Sequence, residues 1–446
     1  MNFDESVSYL FGLGHETIAI KLGLENVGRL LARLGDPQDS FPSVQIAGTN
    51  GKGSTAAMLE SICRAAGLRA GLYTSPHLVS ITERIRVGGR EISGDEFARC
   101  ATRVRAEAER VERESGALPT FFEQVTAGAL AAFREASVDL AVLETGLGGR
   151  LDATTAARAA TVAVTPVALD HQEYLGDTLA AIAAEKAAII RPGVRAVLAP
   201  QEPEAEEVIL RRCRECGVEP RFATRDIEVE AAGADGRLRV RLRTARGEYG
   251  GVRLALRGRH QLTNAAVAVA LAESLAEDGF QISREHIVEG LETAEHAGRL
   301  ELDTRGSRSI IFDGAHNPAG ASALRAYLDE FAAGSVTMVF GAMRDKALAE
   351  IGRVLFPAAA HLILTEPRNP RAAGVEELLR AVPLPPASST IALAPSSRDA
   401  LVIARTHTPP GGLICVTGSL YLVGEVKGFL ATNKSFLDSD GGSAGA

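Results

Sequence analysis

From about residue 44 the chain alternates short β-rich runs with helix-forming stretches, and this alternation most narrows what it can fold into. SVQIAG (43–48), GLYT (71–74), VDLAVLETG (138–146) and ATVAVTP (160–166) read as strands, and EQVTAGALAAFREA (123–136) as one of the helices between them. Strands that alternate with helices imply a mainly parallel sheet covered on both faces. Residues 225–258 change character: apolar and polar positions alternate around a Gly-containing turn, as antiparallel strands do. A second α/β region begins near HAGRLEL (296–302) and offers five strand candidates: SIIFDGAH, SVTMVFG, HLILTEP, TIALAP and GLICVTG.

The expected organisation is therefore α/β throughout. A first domain, 1–296, has a mainly parallel sheet with a small antiparallel section, and a smaller second domain spans 297–431. Residues 432–446, small and polar, are expected to be a disordered tail. A length of 446 residues and 46% apolar composition supply a core for each domain.

A net charge of −8 argues against a general nucleic-acid binder, which must neutralise phosphates. RLRVRLR puts Arg237, Arg239, Arg241 and Arg243 on one strand face, and a solvated sheet face is the expectation for it in so acidic a chain. No apolar run is long enough to span a bilayer, and the first residues lack the basic-then-apolar pattern of a signal peptide. Five scattered cysteines suggest no disulfide framework and fit a reducing cytoplasm. Cys213 and Cys216 form a CxxC without a second ligand pair, expected on a surface helix rather than around zinc.

The strongest local signal is AGTNGKGST (47–55), between a strand and a helix. A Gly-rich turn and the positive end of the following helix make a cradle for phosphate oxygens, with Lys52 in reach of β/γ-phosphates and Ser54 or Thr55 facing a metal ion. The spacing departs from the standard P-loop: Ile46 occupies the first glycine position and Gly53 intervenes before Ser54, which is expected to cap the helix. A plain turn is the competing reading. Glu144, His171, Ser75 and His77 all fall just beyond strand ends, where open parallel sheets bind ligands. A hydroxyl, a carboxylate and an imidazole there suit Mg²⁺; taken singly, Glu144 reads as a helix cap and His171 as a loop histidine. Lys186 shares a helical stripe with Ile182, Ile189 and Ile190. Its default is to bury its stem and send the ammonium to water; desolvation would instead lower its pKa and permit a carbamate.

AGTNGKGST, TSPHLVSITERIRVGG, TFFEQVTAGAL, LETGLGGRLDATT, LDHQEYLGDTLAAIAAEKAAI, DGAHNP and VTGSLYLVGEV occur in the order seen in dihydrofolate/folylpolyglutamate synthases, members of the wider Mur ligase family. The chain resembles that family from about residue 20 to residue 428. The resemblance implies an N-terminal P-loop-type ATPase domain and a Rossmann-like C-terminal domain, with ATP and substrates between them. It implies that Thr49, Asn50, Gly51, Lys52, Gly53 and Ser54 hold ATP phosphates, with Asn264, Arg299, Asp313 and His316 completing the ATP site. It further implies that Ser75, Glu144 and His171 ligate Mg²⁺, with a carbamate on Lys186 serving a second ion. Ile20, Lys21, Leu22 and Gly23, Thr120, Phe121, Phe122 and Glu123, and Leu151, Asp152 and Ala153 resemble the pterin-binding segments, and Ser419 resembles a residue near the incoming glutamate. Two departures stand out: Ala297 where the family has proline, and Thr155 where it has asparagine.

The implied activity is ATP-dependent addition of L-glutamate to dihydropteroate and to reduced folates, by a monomer that binds neither nucleic acid nor membrane. Lys52, Glu144, His171 and Lys186 are the implied catalytic set. The competing expectations are a folylpolyglutamate synthase alone, a cell-wall Mur ligase, and an ATP-binding regulatory protein without ligase activity.

Overall fold

The computed structural model describes residues 1–14, 23–304, 307–332, 334–381, 390–433 and 436. These form two compact units. The first comprises Met1–Glu230, Val240–Ala255 and Gln261–Glu295; the second comprises Ala231–Arg239, Leu256–His260 and the chain from His296 onward. The division is thus discontinuous, two short segments from the 231–260 region packing with the C-terminal part.

In the first unit eight strands make one sheet: β1 (Ser43–Ala47), β2 (Ala70–Tyr73), β3 (Ile85–Val87), β4 (Arg90–Glu91), β5 (Leu140–Glu144), β6 (Thr161–Val164), β7 (Arg195–Leu198) and β8 (Arg221–Phe222). Their order is β4-β3-β2-β5-β1-β6-β7-β8. The six strands from β2 to β8 run parallel, and β3 and β4 add antiparallel pairings at one edge. β1, β5 and β6 are buried at every position, which explains their near-continuous apolar runs. Gln45 is the polar exception within β1; its amide donates to the hydroxyls of Thr154 and Thr155 at 2.9 and 2.8 Å. Gly71 of β2 lies so close to Phe133 that a Cβ there would stand 2.7 Å from the ring.

Two of the long helices in this unit begin at polar caps. Ser93 with Glu96 opens Gly94–Ser115, and Thr120 with Glu123 opens Phe121–Glu135, each by a reciprocal capping box. Leu30, Tyr73, Val104 and Phe133 belong to one apolar cluster, and Val162, Ile182, Ile190 and Ile209 to another. Cys213 and Cys216 belong to the second cluster. Cys213 lies in the helix Pro203–Glu215 and Cys216 is its C-cap; the helix is amphipathic with one face exposed, as a surface helix is, and both thiols are on its buried side. All five cysteines are unpaired and buried.

A three-stranded sheet, ordered β11-β10-β9, contains β9 (Ile227–Ala232), β10 (Leu238–Thr244) and β11 (Gly247–Arg253). Leu238, Val240 and Leu242 of β10 and Tyr249 and Val252 of β11 are its buried positions. The intervening arginines meet carboxylates: Arg241 pairs with Glu230 at 2.7 Å, and Arg243 with Glu248 at 2.8 Å.

The second unit holds β12 (Glu301–Asp303), β13 (Ser309–Phe312), β14 (Val336–Phe340), β15 (Ala359–Thr365), β16 (Thr390–Ala394) and β17 (Leu413–Thr417), in the order β12-β13-β17-β14-β15-β16. All five expected strands are present and parallel. β12 is an additional antiparallel edge. The final helix, Leu420–Thr432, starts at the Ser419 cap and runs one residue into the segment expected to be a tail. Most of 433–446 lies outside the described residues. Among the described residues no helix is long and apolar enough to cross a membrane.

Candidate functional site

The carboxyl ends of β1, β2, β5 and β6 bring the expected polar residues to one rim of the first unit. After β1 the chain turns through Gly48 to Gly51 and enters the helix Lys52–Ala65. Gly51 is the N-cap, at φ 85°, and no side chain caps this helix. Eight other α-helices among the described residues begin at a capping Ser, Thr or Asn: Asn2, Ser93, Thr120, Thr178, Ser283, Asn317, Ser396 and Ser419. Ser54 is not the expected cap: it is buried in the first turn, and its Oγ accepts from Gln261 Nε2 at 3.3 Å. The helix begins three residues earlier because Gly51 adopts the left-handed conformation that a side chain disfavours.

The loop is clamped from two sides. The N–H groups of Thr49 and Asn50 donate to the carbonyl of Pro166 at 3.0 and 3.2 Å, and the Thr49 hydroxyl donates to the Ala168 carbonyl at 3.0 Å. A Cβ at Gly51 would lie 2.1 Å from Asn264 Oδ1, and one at Gly48 would lie 1.9 Å from Thr165 Oγ1. Asn264 is in turn oriented by its own donation to Gln261 Oε1 at 2.8 Å. These approaches require glycine at both positions.

Lys52 Nζ donates to the Thr49 carbonyl at 3.2 Å. Lys186, only 4% exposed, does not reach solvent: it donates to the Gly48 carbonyl at 2.9 Å. Burial, and then the charge of Lys52, pull the Lys186 ammonium down to about 7, against the opposing pull of Asp170, Asp152 and Glu185. Glu144 ends β5, and its Oε2 accepts from the Ser75 backbone N–H at 3.1 Å, so the expected carboxylate and hydroxyl residues are neighbours. His171 lies beyond β6 at φ 51°, its N–H donating to Asp170 Oδ1 at 2.9 Å. Among the described residues no three His, Cys, Asp or Glu side chains form a metal-holding group. The expected set contains only two such residues, which suits an ion that takes its remaining ligands from phosphate and water.

Of the expected pterin segments, Ile20, Lys21 and Leu22 lie outside the described residues; Gly23 lines a cleft with Glu123. Thr120 and Glu123 are the two halves of the capping box. Phe121 stacks on Phe11 at 5.7 Å, and Phe122 lies against Gly146, where a Cβ would be 2.5 Å from its ring. Leu151 is half-buried, and Ala153 opens the short 3₁₀ helix Ala153–Ala157. Asp152 accepts from the N–H groups of Gly146, Leu147 and Thr154 at 2.8, 2.9 and 3.0 Å, folding the glycine-rich loop around a carboxylate whose pKa burial raises. Thr155, one of the two departures, donates to the Gly149 carbonyl at 2.7 Å.

In the second unit Asp313 is buried and accepts from the N–H groups of Leu300 and Ala315, at 2.9 and 3.0 Å. Burial raises its pKa, against the opposing charge of nearby Arg299. His316 Nδ1 contacts the Gly314 carbonyl at 2.8 Å, and Ser419 caps the final helix. Sequence reasoning missed Gln261, Thr165 and Asp170 as groups that position the rim. Gln261 stands three residues before Asn264, and Asp170 stands beside His171 in LDHQ, so proximity to named residues was the available signal.

An uncapped helix behind a doubly clamped glycine loop, at the carboxyl edge of a parallel sheet, defines a phosphate-binding α/β protein. Residues 46–272 match the Mur ligase middle domain and residues 298–420 the Mur ligase glutamate ligase domain. The chain is 33% identical to dihydrofolate synthase/folylpolyglutamate synthase of Bacillus subtilis over 93% of this chain and 96% of that protein. It is 37% identical to a probable bifunctional folylpolyglutamate synthase/dihydropteroate synthase of Haloferax volcanii, over 96% of this chain but 50% of that protein, so it spans about half of that relative's length. The structure of Mycobacterium tuberculosis folylpolyglutamate synthase complexed with ADP superposes with a TM-score of 0.88 at 32% identity, covering 96% of this chain and 99% of that one. The chain belongs to the Mur ligase family, in its dihydrofolate synthase/folylpolyglutamate synthase branch, a group of ATP-dependent amide-forming ligases of folate metabolism.

Proposed function

We propose that this chain joins L-glutamate to dihydropteroate and to reduced folates, using ATP. The observation that carries the reading is the uncapped helix at Gly51 with Lys52 in its first turn: the positive helix end and the ammonium suit a polyanion. Thr49, Asn50, Gly51, Lys52, Gly53 and Ser54 would hold the ATP phosphates, with Asn264 fixing the loop. Arg299, Asp313 and His316 are proposed as further nucleotide residues on the family resemblance. The pterin segments and Ser419 are proposed as substrate-binding on the same ground, over domains bounded near residue 296.

The substrate carboxylate attacks the γ-phosphorus and ADP leaves; the neutral amine of glutamate then attacks the acyl carbon, and phosphate and a proton depart. Lys52 supplies positive charge against the negative charge on the phosphoryl oxygens. The residues also fit Mg²⁺, which when bound would offset triphosphate charge. Ser75, Glu144 and His171 would be the protein ligands of one ion, and a carbamate on Lys186 would serve a second. Lys186 is suited to the carbamate because burial favours the neutral amine that adds to CO₂.

Purified protein with ATP, Mg²⁺, glutamate, and either dihydropteroate or tetrahydrofolate tests the proposal by mass spectrometry of the product. Glutamate is expected on both acceptors. Extension of tetrahydrofolate alone would leave only the folylpolyglutamate synthase. ATP binding without glutamate-dependent phosphate release would instead support the regulatory reading. We also propose a cytoplasmic monomer, which the five unpaired thiols support; gel filtration tests the monomer.

A further inference from the structure

A second cavity opens at the opposite edge of the same sheet. Asp36, Gln38 and Asp39 precede β1, Thr155 and Arg158 precede β6, and Arg191 precedes β7; all line one cleft of about 460 Å³. β1, β6 and β7 are parallel neighbours, so these residues stand at their amino ends, whereas the Gly48–Lys52 loop stands at the carboxyl end. A five-residue strand at about 3.3 Å per residue separates the two edges by roughly 15 Å.

Three observations mark this cleft as built for a ligand. Arg191 Nε is buried without a hydrogen-bond partner; among the described residues the acceptor for that guanidinium is the Ala159 carbonyl, to which Nη2 donates at 2.9 Å. The Arg158 side chain has no hydrogen-bond or ion-pair partner among the described residues, and its charge joins burial in lowering the Arg191 pKa. A protein this acidic that leaves two neighbouring arginines without a carboxylate partner keeps a positive site open. Two non-glycine residues of the lining, Asp36 at φ 48° and Arg158 at φ 50°, are in the left-handed region, a strain that clusters at ligand sites.

We propose that Arg158 and Arg191 form a binding site for the carboxylate or phosphate head of a small metabolite, separate from the catalytic rim. The guanidinium pair takes the acidic head, and Asp36 and Asp39 on the same cleft accept N–H groups from the rest of the ligand. Because the cleft contacts the loops leading into β1 and β6, occupancy stabilises the strands whose far ends carry the glycine loop.

Inorganic phosphate and succinate, titrated separately against the full chain by calorimetry, test this. The Lys52→Ala background is used so that the nucleotide loop does not contribute. At least one probe is expected to bind, phosphate alone indicating a phosphate head and succinate alone a carboxylate head. Arg158→Gln, at an exposed residue that the fold does not need, should weaken that binding tenfold or more, and Arg158→Gln/Arg191→Gln should abolish it. Thermal unfolding checks that the variants are folded. Binding unchanged in a folded Arg158→Gln protein, or no binding of either probe in the Lys52→Ala background, would overturn the proposal.

Discussion

The Lys186 ammonium nitrogen donates to the Gly48 carbonyl oxygen across 2.9 Å, linking residues 138 positions apart. That contact ties the helix Leu179–Ala187 to the first residue of the phosphate loop and places a buried amine beside Lys52.

The first prediction follows from the sign of the Lys186 shift. Its pKa falls from 10.5 to about 7 on folding, so between those values the unfolded chain holds a proton that the native chain does not. Stability contributed by this group therefore rises with pH through that window, by about 1 kcal/mol per unit. Denaturant titrations at pH 7 and pH 9 in CO₂-free buffer should show the wild type gaining on Lys186→Met by about 2 kcal/mol. A pH-independent difference would show that the amine is ordinarily charged in the native state.

Carbamate formation makes a separate prediction. Activity of wild type should increase with bicarbonate and with pH through about 7, as the neutral amine becomes available. Lys186→Arg should remain inactive, since guanidinium stays charged, whereas acetate should partly restore Lys186→Ala.

Lys52→Ala removes the first residue of an uncapped helix and a charge facing the cradle. Turnover should drop by roughly a hundredfold or more while thermal unfolding is little changed. Near-wild-type turnover in the folded variant would detach this loop from the chemistry.

Gly51→Ala combines two costs: φ of 85°, and a Cβ 2.1 Å from Asn264 Oδ1. The backbone term alone is about 1–2 kcal/mol. Asn264→Ala should relieve the contact but not the backbone strain, so Gly51→Ala/Asn264→Ala should recover part of the lost stability in denaturation experiments.

Asp152→Asn keeps size but turns an amide toward N–H donors. One of the three backbone donors now satisfied, from Gly146, Leu147 and Thr154, would lose its acceptor, at about 1–3 kcal/mol. The melting temperature should fall, and glutamate transfer should weaken through a looser 146–155 loop.

Strand placement was legible in the sequence because buried parallel strands read as short apolar runs: β1, β5 and β6, and the five parallel strands of the second unit, all lie where such runs stand. The AGTNGKGST loop was equally legible as a phosphate cradle, since its glycines and lysine are local features. Its helix start was misplaced because Ser54 has a good capping side chain, but the turn at Gly51 comes first and leaves Ser54 inside. Cys213 and Cys216 were expected on a surface helix, and which side of it they take was not legible because the CxxC spacing does not say which side packs on the core.

By itself the sequence determined the element types, the two α/β regions and the order of the motifs, because periodicity and turn chemistry act over a few residues. Tertiary structure alone decided that Lys186 meets Gly48, that Asn264 presses on Gly51, and that Arg158 and Arg191 share a cleft with Asp36. These groups come from segments far apart in the chain. Their burial, and hence the lowered Lys186 and Arg191 pKa values, exists only once the sheet has brought the segments together.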